Sequence, residues 1–169
     1  MATISTAVLV VGGGLVGLSA AMFLARRGVP TLLSERRAGS SPHPRAIGFT
    51  TRTLELYRAA GLSPEIPQVP LTALKSGARP RRAQVESLAG KWQEETPWTP
   101  GPSPALPVEY SPCTGTAMAQ DRLEPILRAK AIDLGADIRL ETELIGFEQS
   151  ETGVTATLRG GDGREYTVR

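Results

Sequence analysis

Apolar positions along this chain follow two different periods, and the changes of period mark its elements. Ala7 to Val11, AVLVV, is an unbroken apolar run of strand length, the pattern of a parallel strand covered on both faces. Beyond Gly12, Gly13 and Gly14, the residues Leu15, Leu18, Met22 and Ala25 recur at three- and four-residue spacing with small Ala21 beside them. That period predicts a helix to Arg27, packed on a sheet and stopped by Gly28. Thr31 to Ser34 reads as a second strand closing on Glu35. Met1 to Ala25 carries no charge, yet it lacks a basic leader and the glycine triplet would break a helix at its middle, so neither a signal peptide nor a membrane span is expected.

Further along, RRAGSSPHP (36–44) is a loop, and a helix from Thr51 to Ala60 follows, with Thr50 or Thr51 at its N-cap and Gly61 at C′. Periodicity is poor and prolines are frequent from Ser63 to Pro112. Leu71 to Ser76 and a hairpin of Gln84 to Leu88 with Lys91 to Glu95, joined at Ala89-Gly90, are the strand candidates there. Trp92 and Trp98 lie in this region, the second in the turn-rich loop TPWTPGPSPALP (96–107), and Trp92 is readable as a pocket wall or as a cross-strand packing residue. A helix is predicted from Asp121 to Leu134, with Asp121 as cap, Glu124 in capping-box position and Pro125 in the first turn. Its buried stripe is Leu123, Ile126, Leu127, Ala131 and Leu134, and Gly135 stops it. Asp137 to Leu140 reads as a third parallel strand. The end of the chain is a three-stranded antiparallel meander, Leu144 to Gln149, Val154 to Arg159 and Arg164 to Val168, with Asp162-Gly163 as a hairpin turn. The fold class is therefore α/β: a Rossmann-like βαβ unit with a parallel sheet, plus an antiparallel β-meander.

The chemistry concentrates in Gly12-x-Gly14-x-x-Gly17. Gly12 permits the sharp turn out of the strand, Gly14 lets a pyrophosphate approach the backbone, and Gly17 lets the helix pack against the sheet. Phosphates then meet unpaired amides and the positive dipole end at the helix N-terminus. Glu35, eighteen positions beyond Gly17, ends the second strand where a carboxylate can accept from ribose hydroxyls. Its charge disfavours a 2′-phosphate, so an ADP moiety without one is expected. A glycine triplet alone is weak evidence. Strand before, helix after, second strand and acid make it specific.

The totals narrow the class. A chain of 169 residues with formal charge +2 has its Lys and Arg spread along it, which argues against nucleic acid. One cysteine, Cys113, and one histidine, His43, supply neither a disulfide, a metal set nor a Ser-His-Asp triad, so no metal site and a cytoplasmic location are expected.

GGGLVGLSAAMFLARRG, Glu35-Arg36, PRAIGFTTRTLEL (44–56) and QDRLEPIL (120–127) together resemble the N-terminal part of the group A flavoprotein aromatic hydroxylases, the p-hydroxybenzoate hydroxylase-like monooxygenases. Within that family the resemblance is nearest to polyketide hydroxylases of the aklavinone 11-hydroxylase kind. It implies FAD as cofactor, NADPH or NADH as reductant, and dioxygen and a small aromatic substrate as partners. It implies that Gly12, Gly14 and Gly17 bind the FAD pyrophosphate, Glu35 the adenosine ribose, and Arg36 the adenine side. Arg45 would approach the flavin near its phosphates or ring, Gln120 the ribityl chain, and Arg122 the phosphates. The resemblance divides the chain into residues 1–65 (βαβ unit and helix), 66–118 (substrate-side strands and a Pro-rich loop) and 119–169 (helix, third strand and meander). It also implies that this is a truncated form whose next sheet strand is missing, so the first strand is left as an open edge for a C-terminal part or another chain to pair with. Two alternatives remain on the residues alone: an NAD-dependent dehydrogenase, which the first 35 residues fit equally well, and a non-catalytic dinucleotide-binding fragment or subunit.

Overall fold

A computed structural model describes residues 3–41, 46, 48–62, 65–68, 83–85, 87, 89–91, 93–94 and 111–169. The elements in chain order are β1 (Thr3–Ile4), β2 (Val8–Val11), α1 (Leu15–Arg26), β3 (Thr31–Ser34), α2 (Thr51–Ala59), β4 (Ala83–Gln84), β5 (Gln93–Glu94), α3 (Gln120–Asp133), β6 (Asp137–Arg139), β7 (Glu143–Ser150), β8 (Gly153–Arg159) and β9 (Glu165–Val168). The segment Leu71 to Ser76, residues 86, 88 and 95 of the hairpin candidates, and Trp92, Trp98, His43 and Arg45 lie outside the described residues.

Three parallel strands in the order β2-β3-β6 form the middle layer. Val8 to Val11 pair with Thr31 to Ser34, and Leu32 to Ser34 pair with Asp137 to Arg139. On one face lie the helices. Leu18, Ala21, Met22 and Ala25 of α1 meet Leu123, Leu127 and Ala131 of α3, Leu54 and Tyr57 of α2, and Leu33 from the sheet in one buried cluster. On the other face lies the meander, where Leu32 packs with Leu158 and Val168, flanked by Ile4, Leu9, Leu144 and Tyr166. Alternate residues of β3 thus point into two different cores, which is the period-two geometry of a strand, and all four of its residues are buried.

The first strand departs from the expectation of burial on both faces. β2 is half-buried and Val11 is 53% exposed, because among the described residues β2 pairs with β3 alone and stands at the sheet edge, the open edge that the resemblance implies. The meander forms as predicted, with β8 paired antiparallel to both β7 and β9, and Gly163, at φ +78, lies in the hairpin turn. A feature the sequence pattern did not announce is β1, which adds to β9 in parallel through Thr3↔Thr167 and Ile4↔Val168. Two residues are too few to show a period.

Helix α3 also starts earlier than predicted. Ala119 is its N-cap, no side chain caps it, and Asp121 lies inside its first turn. Pro125 therefore falls within the helix, on its exposed side, and not in the first turn. The reason is tertiary: the Gln120 amide donates to the Ala46 carbonyl at 2.9 Å, so a partner outside the helix satisfies its first orphan amide and replaces a side-chain cap. In α2, by contrast, Thr50 Oγ1 accepts from the Thr53 amide at 3.4 Å, the expected cap. Of the 84–95 hairpin, β4 pairs antiparallel with β5, shorter than expected, through Ala83↔Glu94 and Gln84↔Gln93, and the Gly90 amide closes a turn on the Ser87 carbonyl at 2.8 Å.

Candidate dinucleotide site

The turn between β2 and α1 is built by its glycines. Gly12 sits at φ +104, a region that costs an L-residue about 1–2 kcal/mol, and its amide still reaches the Ser34 carbonyl at 2.8 Å, so the chain leaves the sheet only after Val11. A Cβ on Gly17 would overlap the Gly12 carbonyl oxygen; the bare Cα is what allows helix and turn to touch. At Gly14, the α1 N-cap, the place of a missing Cβ has only Glu124 Oε1 nearby, at 3.8 Å. No side chain caps α1 and no acid lies in its first turn. The first-turn amides therefore have no side-chain competitor for an anion. That arrangement fits a pyrophosphate.

Glu35 is held in place before any ligand arrives. Its Oε2 accepts from the Gly13 amide at 2.6 Å and its Oε1 from the Arg37 amide at 2.8 Å. Its backbone is tied as well, the amide to the Arg139 carbonyl at 2.9 Å and the carbonyl to the Thr142 amide at 2.9 Å. An ionised carboxylate has about four acceptor sites; two are used by the protein, which leaves capacity for the hydroxyls of a ribose. Beside it, Arg139 bonds Asp137 at 2.7 Å, a contact that raises the guanidinium pKa further, and the guanidinium lies 5.2 Å from the centre of the Tyr166 ring.

The structure thus joins Gly12, Gly14, Gly17 and Glu35 in one place, and it adds two residues that the glycine pattern passed over. Gly13 occupies a variable position of that pattern, yet a Cβ there would stand 2.9 Å from Glu35 Cβ. The run of three glycines was its only signal. Glu124, expected in a capping box, is instead 3% exposed and accepts from Gln120 Nε2 at 2.7 Å. Gln120 is the first residue of α3, bound to Ala46 through its amide and through Oε1 at 3.4 Å. Arg36 and Arg122 are exposed, the first following Glu35 and the second on the first turn of α3. Arg45 lies outside the described residues. Among the described residues no three His, Cys, Asp or Glu side chains come together as a metal site, and no helix is long and apolar enough to cross a membrane.

A parallel α/β sheet, an uncapped helix after a glycine turn and an anchored acid at the end of the next strand define a dinucleotide-binding fold. The chain belongs to the FAD binding domain family, whose model matches residues 5–169. It is similar to the aklavinone 12-hydroxylase RdmE of Streptomyces purpurascens, at 42% identity over 166 residues, covering 96% of this chain and 31% of that protein. A 4-methyl-5-nitrocatechol 5-monooxygenase from a Burkholderia species is 40% identical over 167 residues, covering 98% and 30%. Among solved structures, aklavinone-11 hydroxylase in a ternary complex with FAD and aklavinone superposes with a TM-score of 0.69 at 35% identity, covering 99% of this chain and 32% of that one. The chain spans less than a third of each of these relatives. Family membership selects FAD over the plain NAD-dependent dehydrogenase that the first 35 residues also fit.

Proposed function

We propose that this chain is the FAD-holding part of an NAD(P)H-consuming flavoprotein monooxygenase that hydroxylates an aromatic substrate of the polyketide class. The observation that carries the cofactor is Glu35, fixed by two amides beside an uncapped helix N-terminus; the hydroxylase relatives support the reaction class. Bound FAD supplies the redox chemistry: hydride uptake from NADPH or NADH, and activation of dioxygen for transfer of one oxygen atom to an electron-rich ring.

This chain's residues bind and orient. The α1 amides after Gly12 and Gly14 receive the pyrophosphate, while Glu35 accepts from the ribose hydroxyls. We assign Arg36 to the adenine side, Arg45 to the flavin end, Gln120 to the ribityl chain and Arg122 to the phosphates. No catalytic acid or base is assigned within residues 1–169. Residues 1–65 and 119–169 form the cofactor unit in this reading, with 66–118 on the substrate side, and the lone Cys113 suits a cytoplasmic enzyme.

A further partner follows from the sheet. Among the described residues β2 pairs only with β3, and a cleft of about 860 Å³ flanks it, lined by Val8, Leu9 and Val11 of β2 and by Leu144, Phe147 and Val154 of the meander. Unpaired strand amides and carbonyls are a template for another strand. We propose that a strand, from a C-terminal continuation or from another chain, pairs with this edge, which is open among the described residues.

The cofactor assignment is tested by purifying the protein and recording its visible spectrum. A bound flavin that co-elutes at stoichiometric ratio is expected. Colourless protein that binds NADH and takes up no added FAD would refute it. NADPH or NADH oxidation that rises on addition of a polyphenolic substrate is the corresponding sign of the hydroxylase.

A further inference from the structure

Among the described residues, Glu124 is the only carboxylate that is buried, at 3% exposure. A buried carboxylate is costly unless paired and hydrogen-bonded, and its position in the fold shows what pairs it. Glu124 lies one turn after Gln120 on α3, and its Oε1 takes the Gln120 Nε2 proton at 2.7 Å. The same oxygen is 3.8 Å from the place where a Cβ of Gly14 would stand. Gln120, with Nε2 turned to Glu124, presents Oε1 to the Ala46 amide at 3.4 Å, and its own amide holds the Ala46 carbonyl at 2.9 Å.

An amide side chain has two ends of opposite hydrogen-bonding sense. If Gln120 flipped, its NH2 would face the Ala46 N–H and its oxygen would face a carboxylate. Both contacts would become repulsive. An oxygen acceptor at position 124 facing Nε2, with the Ala46 N–H facing Oε1, specifies which way the amide points.

We infer that Glu124 is a positioning residue for the cofactor site: it fixes the orientation of the Gln120 amide and thereby holds the Ala46 backbone against the start of α3, while Glu124 itself stands beside Gly14 of the glycine turn. This rests on the reading of the site as an FAD site, which the control below tests separately.

The experiment uses the full chain in two readouts. Without cofactor, hydrogen exchange of the peptide that contains Ala46 is followed by mass spectrometry at submicromolar concentration in wild type, Glu124→Gln and Glu124→Leu. With cofactor, FAD affinity is measured by flavin fluorescence for the same proteins, for Gln120→Leu and for the double Leu variant. The glutamine at 124 keeps an oxygen acceptor for Nε2, so Glu124→Gln should retain Ala46 protection and bind FAD within about threefold of wild type. Glu124→Leu should lose that protection and bind about tenfold or more weakly, and the double variant should be no worse than the poorer single variant, as residues acting through one contact are non-additive. Wild-type affinity or unchanged Ala46 protection in Glu124→Leu overturns the inference. So does loss in Glu124→Gln equal to that in Glu124→Leu, or additive losses in the double variant. Wild type that fails to bind FAD refutes the cofactor reading, and the cofactor-free exchange then decides the role of Glu124 alone.

Discussion

Glu35 shows how much a single side chain can be asked to do at once. Both of its oxygens accept backbone amides, from Gly13 and from Arg37, so its shape alone does not define it. Glu35→Gln preserves the volume but turns one acceptor into a donor that faces an N–H. We predict FAD affinity about tenfold weaker in Glu35→Gln, equivalent to about 1.4 kcal/mol, measured by flavin fluorescence titration. Unchanged affinity would refute the role proposed for Glu35 at the ribose. Glu35 and the three spaced glycines were legible in the sequence because their chemistry is local: a turn, a helix start and a strand end lie within one βαβ unit. Gly13 and Glu124 were not. Gly13 matters because of a side chain brought back by β3, and Glu124 stands three positions after Asp121, the spacing of a capping box, so nothing local distinguished a cap from a buried acceptor.

At the level of elements, local patterns located α1, α2, β3, β6 and the meander: α1 and β3 carry apolar residues that are buried, α2 has its Thr50 cap, and the meander has its hairpin turn. Where an element is set by a partner instead of by its own pattern, its start is misplaced. α3 begins at Gln120 because Ala46 receives that residue's amide, and β1 exists because β9 offers it a parallel edge. The packing of α3 on α1 is the largest helix contact of the site's support, with Leu127 fully buried in the helical core. Leu127→Ala should destabilise the fold by about 2–5 kcal/mol in a denaturant titration, through lost transfer energy and the cavity left behind. The loss should be accompanied by weaker FAD binding only near the unfolding transition. A change below 0.5 kcal/mol, the range usual for surface sites, would show that the α1–α3 seam is not the core of this fold.

For the whole molecule, the decisive feature is that a sheet strand of a central type stands at an edge. β2 exposes Val11 at 53%, and across the adjoining cleft Phe147 is 64% exposed. Apolar side chains beside unpaired backbone groups favour association. The 169-residue chain on its own is therefore predicted to self-associate or precipitate at micromolar concentration, followed by light scattering and sedimentation. A monodisperse monomer that unfolds in one cooperative step would defeat the proposed strand pairing.

By itself the sequence determined the glycine turn, the acid that follows it, the helices and the order of parallel strand and meander, since each depends on residue spacing within a few turns or one hairpin. Only the tertiary structure decided which face of β3 meets which layer, that Gly13 packs against Glu35, and that Glu124 is buried against Gln120. Those properties arise from contacts between residues far apart in the chain, such as Gly13 with Glu35 and Ala46 with Gln120. Neither periodicity nor motif spacing carries information about partners at that separation.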